Sequence, residues 1–128
     1  FDPGRITGPV AVRAGSTHAA LLTRLLPEVE QVGFESEFDA LQAVADEQAD
    51  AYFGDGMRAS LWLNENGDCC AFAGEAYFRP DLFGSGLSIA VPAGLDNVRS
   101  ALNWALVRLS REGRLDELYL RWFPVSFY

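Results

Sequence analysis

Apolar positions alternate with small or polar ones over residues 9 to 13, and the pattern breaks at Ala14-Gly15. Next come two hydroxyl residues and a run rich in alanine and leucine that stops before Pro27. Such a change of period predicts a strand, a glycine turn and a helix capped by Ser16 or Thr17, because proline cannot continue a helix. Residues 31 to 34 form a second short strand candidate. Ser36-Glu37-Phe38-Asp39 resembles a capping box opening a helix with Phe38, Leu41 and Val44 on one face. Residues 50 to 53 predict a third strand, cut by Gly54-Asp55-Gly56 before a helix through Leu61, Trp62 and Leu63, and residues 69 to 72 a fourth.

Strands that alternate with helices of about ten residues imply right-handed crossovers. The expected class is α/β, with a parallel-type sheet covered by helices on both faces. Ligands in such sheets bind beyond the carboxyl ends of the strands, where both the turn at residues 14 to 18 and the Gly54-Asp55-Gly56 turn fall. After Gly84 the pattern shifts. One apolar strand, residues 87 to 91, precedes a long helix from about residue 96 to 112 with a stripe of Val98, Ala101, Leu102, Ala105, Leu106 and Leu109. Gly113 ends it, and a second amphipathic helix carries Leu115, Leu118, Tyr119 and Trp122, with Phe123 beyond.

Charge and composition narrow the partners. The net charge is −8, the ten basic residues are all arginines, and they form no cluster, so nucleic acid is excluded as an expected partner. The absence of lysine excludes a Schiff-base or P-loop lysine in this segment. Acidic residues between positions 28 and 55, uninterrupted by basic ones, read as a solvated face. With two cysteines and one histidine there are too few ligands for a common structural zinc site, and neither metal nor cofactor is expected. Adjacent Cys69 and Cys70 on a strand would point to opposite faces, one of them buried; a vicinal disulfide or a reactive thiol is the alternative. No apolar run approaches the roughly 20 residues that cross a bilayer. A chain starting at Phe1 reads as a processed, trimmed or excised product, so the absence of a leader excludes no location.

Ser16 and Thr17, at a turn feeding a helix N-terminus, offer hydroxyls and unpaired N–H groups, which suits a carboxylate or phosphate but also serves as simple capping. Asp55, flanked by glycines at the same sheet edge, suits a cation or caps the helix that follows. An anion hole beside an acid matches the two ends of a free α-amino acid.

The ordered set VAVRAGSTHAALL, DAYFGD, CCAFAGEAYF, FGSGLSIAVPAG and LNWALVRLSREGRLDELYLRWF resembles the second half of a type II periplasmic solute-binding protein. The branch it resembles is extracellular solute-binding protein family 3, which feeds polar amino acids to ABC importers. The resemblance implies a second ligand-binding lobe over residues 1 to 77 and a hinge return over 78 to 86. Residues 87 to 128 would supply a strand and helices of a first lobe whose beginning is absent. It further implies that Ser16 and Thr17 bind the α-carboxylate and Asp55 the α-ammonium of a polar amino acid, with Arg13 and His18 contacting the ligand or adjusting specificity. For Arg13 a surface salt bridge is the alternative, and for His18 a solvent-facing position. The implied partner is an ABC permease and the implied location periplasmic or extracellular. A periplasmic sensor domain or an enzyme of the same fold are the other functions, although a Ser16-His18-Asp55 relay is disfavoured because residues two apart at a turn rarely meet as nucleophile and base. The bare stripes of residues 87 to 128 imply self-association when nothing else covers them.

Overall fold

The computed structural model describes residues 6–74, 79–84 and 86–122. Its centre is β1 (Val10–Arg13), which pairs in parallel with β2 (Gln31–Phe34) on one side and β3 (Ala51–Tyr52) on the other. Val10 faces Gln31 and Ala51 across these ladders, and Arg13 faces Phe34. A central parallel strand is covered on both faces, so both sets of its side chains must be apolar or small. Val10, Ala11 and Val12 are accordingly all buried.

Helices supply the two covers. On one face, α1 (Thr17–Leu25) packs Leu22 against Val10 and Val12, with Ala51 and Phe53 at the margin. On the other, α2 (Glu37–Ala45) sets Ala40 against Ala11 and Ala49, three small side chains that let helix and sheet approach closely. The next helix, α3 (Gly56–Asn66), extends this layer through Ala59 and Trp62, which meet Leu41. Every crossover returns the chain to the same end of the sheet, so each helix begins where a strand has just finished.

The helix starts follow from capping. Ser16, Ser36 and Asp55 each hold extended backbone and accept a hydrogen bond from the N–H three residues on: Ala19 at 3.1 Å, Asp39 at 3.1 Å and Arg58 at 2.9 Å. Gly15, with φ of 69°, makes the turn into α1 in a conformation that few other residues adopt without strain.

Two expected strands do not form. At residues 69 to 72 the chain instead turns, with the Cys69 N–H on the Asn66 carbonyl at 3.3 Å, and Cys69 and Cys70 are joined in a vicinal disulfide. A bond between adjacent sulfurs draws both side chains together, whereas strand alternation sends them to opposite faces, so the two cannot coexist. Residues 87 to 91 also lack strand structure, and Leu87 and Ile89 are exposed. An extended segment becomes a strand only against an edge with free N–H and C=O groups, and no described segment pairs with this one.

The rest of the chain comprises a single-turn helix, α4 (Pro80–Phe83), and a helical hairpin of α5 (Asp96–Arg111) and α6 (Arg114–Trp122). Gly113 turns the hairpin at φ of 69°, a left-handed conformation suited to the residue beyond a helix end. These helices contact each other, and no residue of either is buried. Trp104 and Leu120 are 65% and 71% exposed. Phe123 and, within the expected hinge return, Phe78 and Ser85 lie outside the described residues. No helix among the described residues is long and apolar enough to cross a membrane.

Because α1 is held to the sheet chiefly through Leu22, Leu22→Ala should cost about 2–5 kcal/mol of unfolding free energy in urea titrations, the usual range for an emptied leucine site. A loss under 1 kcal/mol, on the order of an exposed substitution, would contradict this account of the core.

Candidate functional site

Parallel pairing gathers three strand ends and three helix starts at one edge of the sheet. Arg13, Ser16, Thr17, His18 and Asp55 all lie there, as the sequence predicts. Arg13 closes β1, is exposed, and has no ion-pair partner among the described residues. Ser16 is half-buried and caps α1, while Thr17 opens the helix and is exposed. The N–H groups of the first helical turn have no acceptor within the helix, so this end of α1 keeps a positive character.

His18 is not a solvent-facing residue. Its ring stacks on Phe83 at 4.5 Å between centroids and 18° between planes, and meets Phe53 edge-on at 6.0 Å. Burial lowers its pKa below the ordinary 6.5, opposed by the negative charges of Asp55 and Glu37. The ring is thus held between an aromatic following β3 and another from α4, which returns to this edge from far along the chain.

Asp55 caps α3 by accepting the Arg58 N–H through Oδ1, as the capping reading expects. Gly54 permits the turn because a side chain there would collide with the Tyr52 hydroxyl. That hydroxyl is shielded from solvent and lies against the Asp55 backbone. Burial, followed by the charge of Glu37, pushes its pKa well above the usual phenol value.

Glu37 and Phe83 are site residues that sequence reasoning missed. Glu37 was absorbed into the acidic run between positions 28 and 55, although as the first residue of α2 it occupies the place that Thr17 has in α1 and Gly56 in α3. That shared position was the available signal. For Phe83, which reaches the site through tertiary packing alone, no local pattern pointed to it.

Other features lie elsewhere. An open depression of about 490 Å³, lined by Ile6, Leu26, Pro27 and Val29 among others, sits at the opposite, amino-terminal edge of the sheet. The Cys69–Cys70 disulfide follows the far end of α3. Among the described residues no three potential ligands gather to hold a metal ion.

No family model matches the chain. It is 32% identical over 114 residues to the Escherichia coli K12 ABC transporter arginine-binding protein 2, covering 89% of this chain and 46% of that protein. With arginine-binding protein 1 of the same organism it is 30% identical over 115 residues, covering 90% and 47%. Among solved structures it resembles a Salmonella typhimurium periplasmic binding protein described for high arginine specificity, with 27% identity, a TM-score of 0.66, and coverage of 91% of this chain and 51% of that one. The chain is homologous to these arginine-binding proteins, shares the fold of periplasmic amino-acid-binding proteins, and spans about half the length of the relatives it matches.

The environment of His18 sets a pH dependence. A lowered folded pKa means that the unfolded chain binds the proton more readily, so stability falls as pH drops from above 6.5 toward the folded value, and this contribution is constant below it. Thermal melts between pH 7.5 and 5.5 should show that decline, and His18→Gln should flatten it. An equal slope in both proteins would place the titrating group elsewhere.

Proposed function

We propose that this chain supplies one wall of an interlobe cleft that binds a polar α-amino acid for delivery to an ABC permease in the periplasm. The observation that carries the reading is the placement of Ser16 and Thr17, at the free N-terminus of α1, on the same sheet edge as Asp55. Its support is homology to proteins named for arginine binding and ABC transport. The α-carboxylate would take the Ser16 and Thr17 hydroxyls and the first N–H groups of α1, where a negative charge is favoured. The α-ammonium would take the Asp55 oxygen that the cap does not use. Arg13, exposed and unpaired among the described residues, would sort ligand side chains by charge. In this reading residues 1 to 77 form the second lobe, 78 to 86 the hinge return with α4 inside it, and 87 to 128 part of a first lobe that carries the opposite wall.

A catalytic relay is poorly served by the same residues. The Ser16 hydroxyl accepts the Ala19 N–H as a cap, and the His18 ring is sandwiched by Phe83 and Phe53 rather than presented to a serine.

Asp55→Asn is a clean test because asparagine caps helices as well as aspartate does, so α3 is retained while the counter-charge is lost. In the complete protein the variant should lose about 2–5 kcal/mol of binding free energy for a free amino acid by isothermal titration. The parent should bind the free acid and not its α-ester, which lacks the charge assigned to the α1 terminus. Unchanged affinity in Asp55→Asn together with equal binding of acid and ester would sink the assignment.

The bare hairpin gives a second expectation. Each exposed large apolar side chain forgoes about 1.5–3 kcal/mol of burial, so α5 and α6 should find cover. Prepared alone, the 128-residue chain should self-associate through this face, with a light-scattering mass that rises with concentration and falls in Trp104→Glu. A monomer at every concentration would contradict this.

A further inference from the structure

Glu37 is the first residue of α2, set at the ligand-facing edge by the Ser36 cap. Its side chain is only 11% exposed, while that of Arg58, whose Nε lies 3.0 Å from Glu37 Oε2, is 70% exposed. The pair is an ion contact without hydrogen-bond alignment: Oε2 is shielded from solvent and accepts no hydrogen bond. A carboxylate in that condition is under-satisfied, since removal from water must be offset by aligned donors as well as by charge. The N-terminus of α2 offsets part of the cost. Arg58 supplies the rest from a long side chain that reaches over from α3 and keeps most of its surface in water. The same carboxylate opposes the lowering of the His18 pKa and adds to the raising of the Tyr52 pKa, which places its field at the candidate site.

We propose that Glu37 is a specificity-determining residue that selects a cationic ligand side chain, with Arg58 as a resident cation that the ligand's guanidinium or ammonium displaces. This rests on the amino-acid-binding reading above. The exchange replaces one ion contact by another of better alignment, so it favours a cation that can approach Oε2 directly. A neutral amide has no charge with which to displace Arg58 and leaves the pair in place. An anionic side chain meets the Glu37 field and is rejected. Arg13, at the end of β1, carries the opposite sign and bounds the region in which a cation is welcome.

The test is isothermal titration of the complete protein with L-arginine and L-glutamine. In Glu37→Gln, arginine affinity should fall about tenfold or more, as for a charge pair that loses one partner, while glutamine affinity stays within about threefold. Arg58→Met should raise arginine affinity severalfold because the competing cation is gone, and a gain of this kind cannot arise from misfolding. Melting temperatures of both variants establish that they fold. An unchanged arginine-to-glutamine ratio in Glu37→Gln, or no gain in Arg58→Met, would overturn the proposal while leaving Asp55-dependent amino-acid binding intact. If the parent binds neither amino acid, the functional reading falls and this one with it.

Discussion

The structure depends on the parallel pairing of β1 with both of its neighbours. Parallel strands require a crossover for every return, and the crossovers here are helices that begin at the carboxyl edge of the sheet. Three helix N-termini are thereby brought to one side, together with the short turns that connect them to the strands. Polar and charged residues at those turns need no special folding device to meet. Once β1 is buried on both faces, Ser16, Glu37 and Asp55 share an edge although they are widely separated in sequence.

That geometry also sets the electrostatics. Helix N-termini favour negative charge, and two of these starts carry a carboxylate, Glu37 at the opening of α2 and Asp55 at the cap of α3. The first start has hydroxyls instead, which leaves its positive end available for an anion. The edge is therefore divided into an electropositive end at α1 and an electronegative one between α2 and α3, a division that suits a zwitterion lying across it. His18, stacked on Phe83 and edge-on to Phe53, has its pKa lowered by burial against the attraction of both nearby carboxylates.

Much of this was legible from residue pattern, because its causes are local. The buried VAV run, the proline that stops α1, the serine caps and the glycines at residues 15 and 54 each act within a few residues, and the elements they predict over residues 9 to 66 are present. Strand β3 is shorter than expected because only Ala51 and Tyr52 join the ladder beside β1. What pattern could not supply was anything decided by a partner distant in sequence. The cysteine pair follows an apolar reading of strand alternation until the bond between the sulfurs is known. His18 looks exposed at a helix start until Phe83 arrives, and Glu37 looks solvated until Arg58 and the sheet edge enclose it.

Residues 87 to 122 are the opposite case, since their pattern is strong and its fulfilment is missing. The apolar stripe of α5 was read correctly as a helix face, but a stripe states only that cover is required and not where the cover comes from. Nothing among the described residues buries it. The apolar segment at 87 to 91 has the same character, since a strand pattern without an edge yields exposed Leu87 and Ile89. Both signals ask for the same kind of neighbour: a sheet with a free edge to take the strand and a face for the hairpin to lie on. The faces of the sheet of residues 10 to 52 are already occupied by α1, α2 and α3, and its edge strands β2 and β3 do not pair with residues 87 to 91. The hairpin therefore asks for apolar cover from outside the described residues, of the kind that the first lobe of the proposed reading would supply.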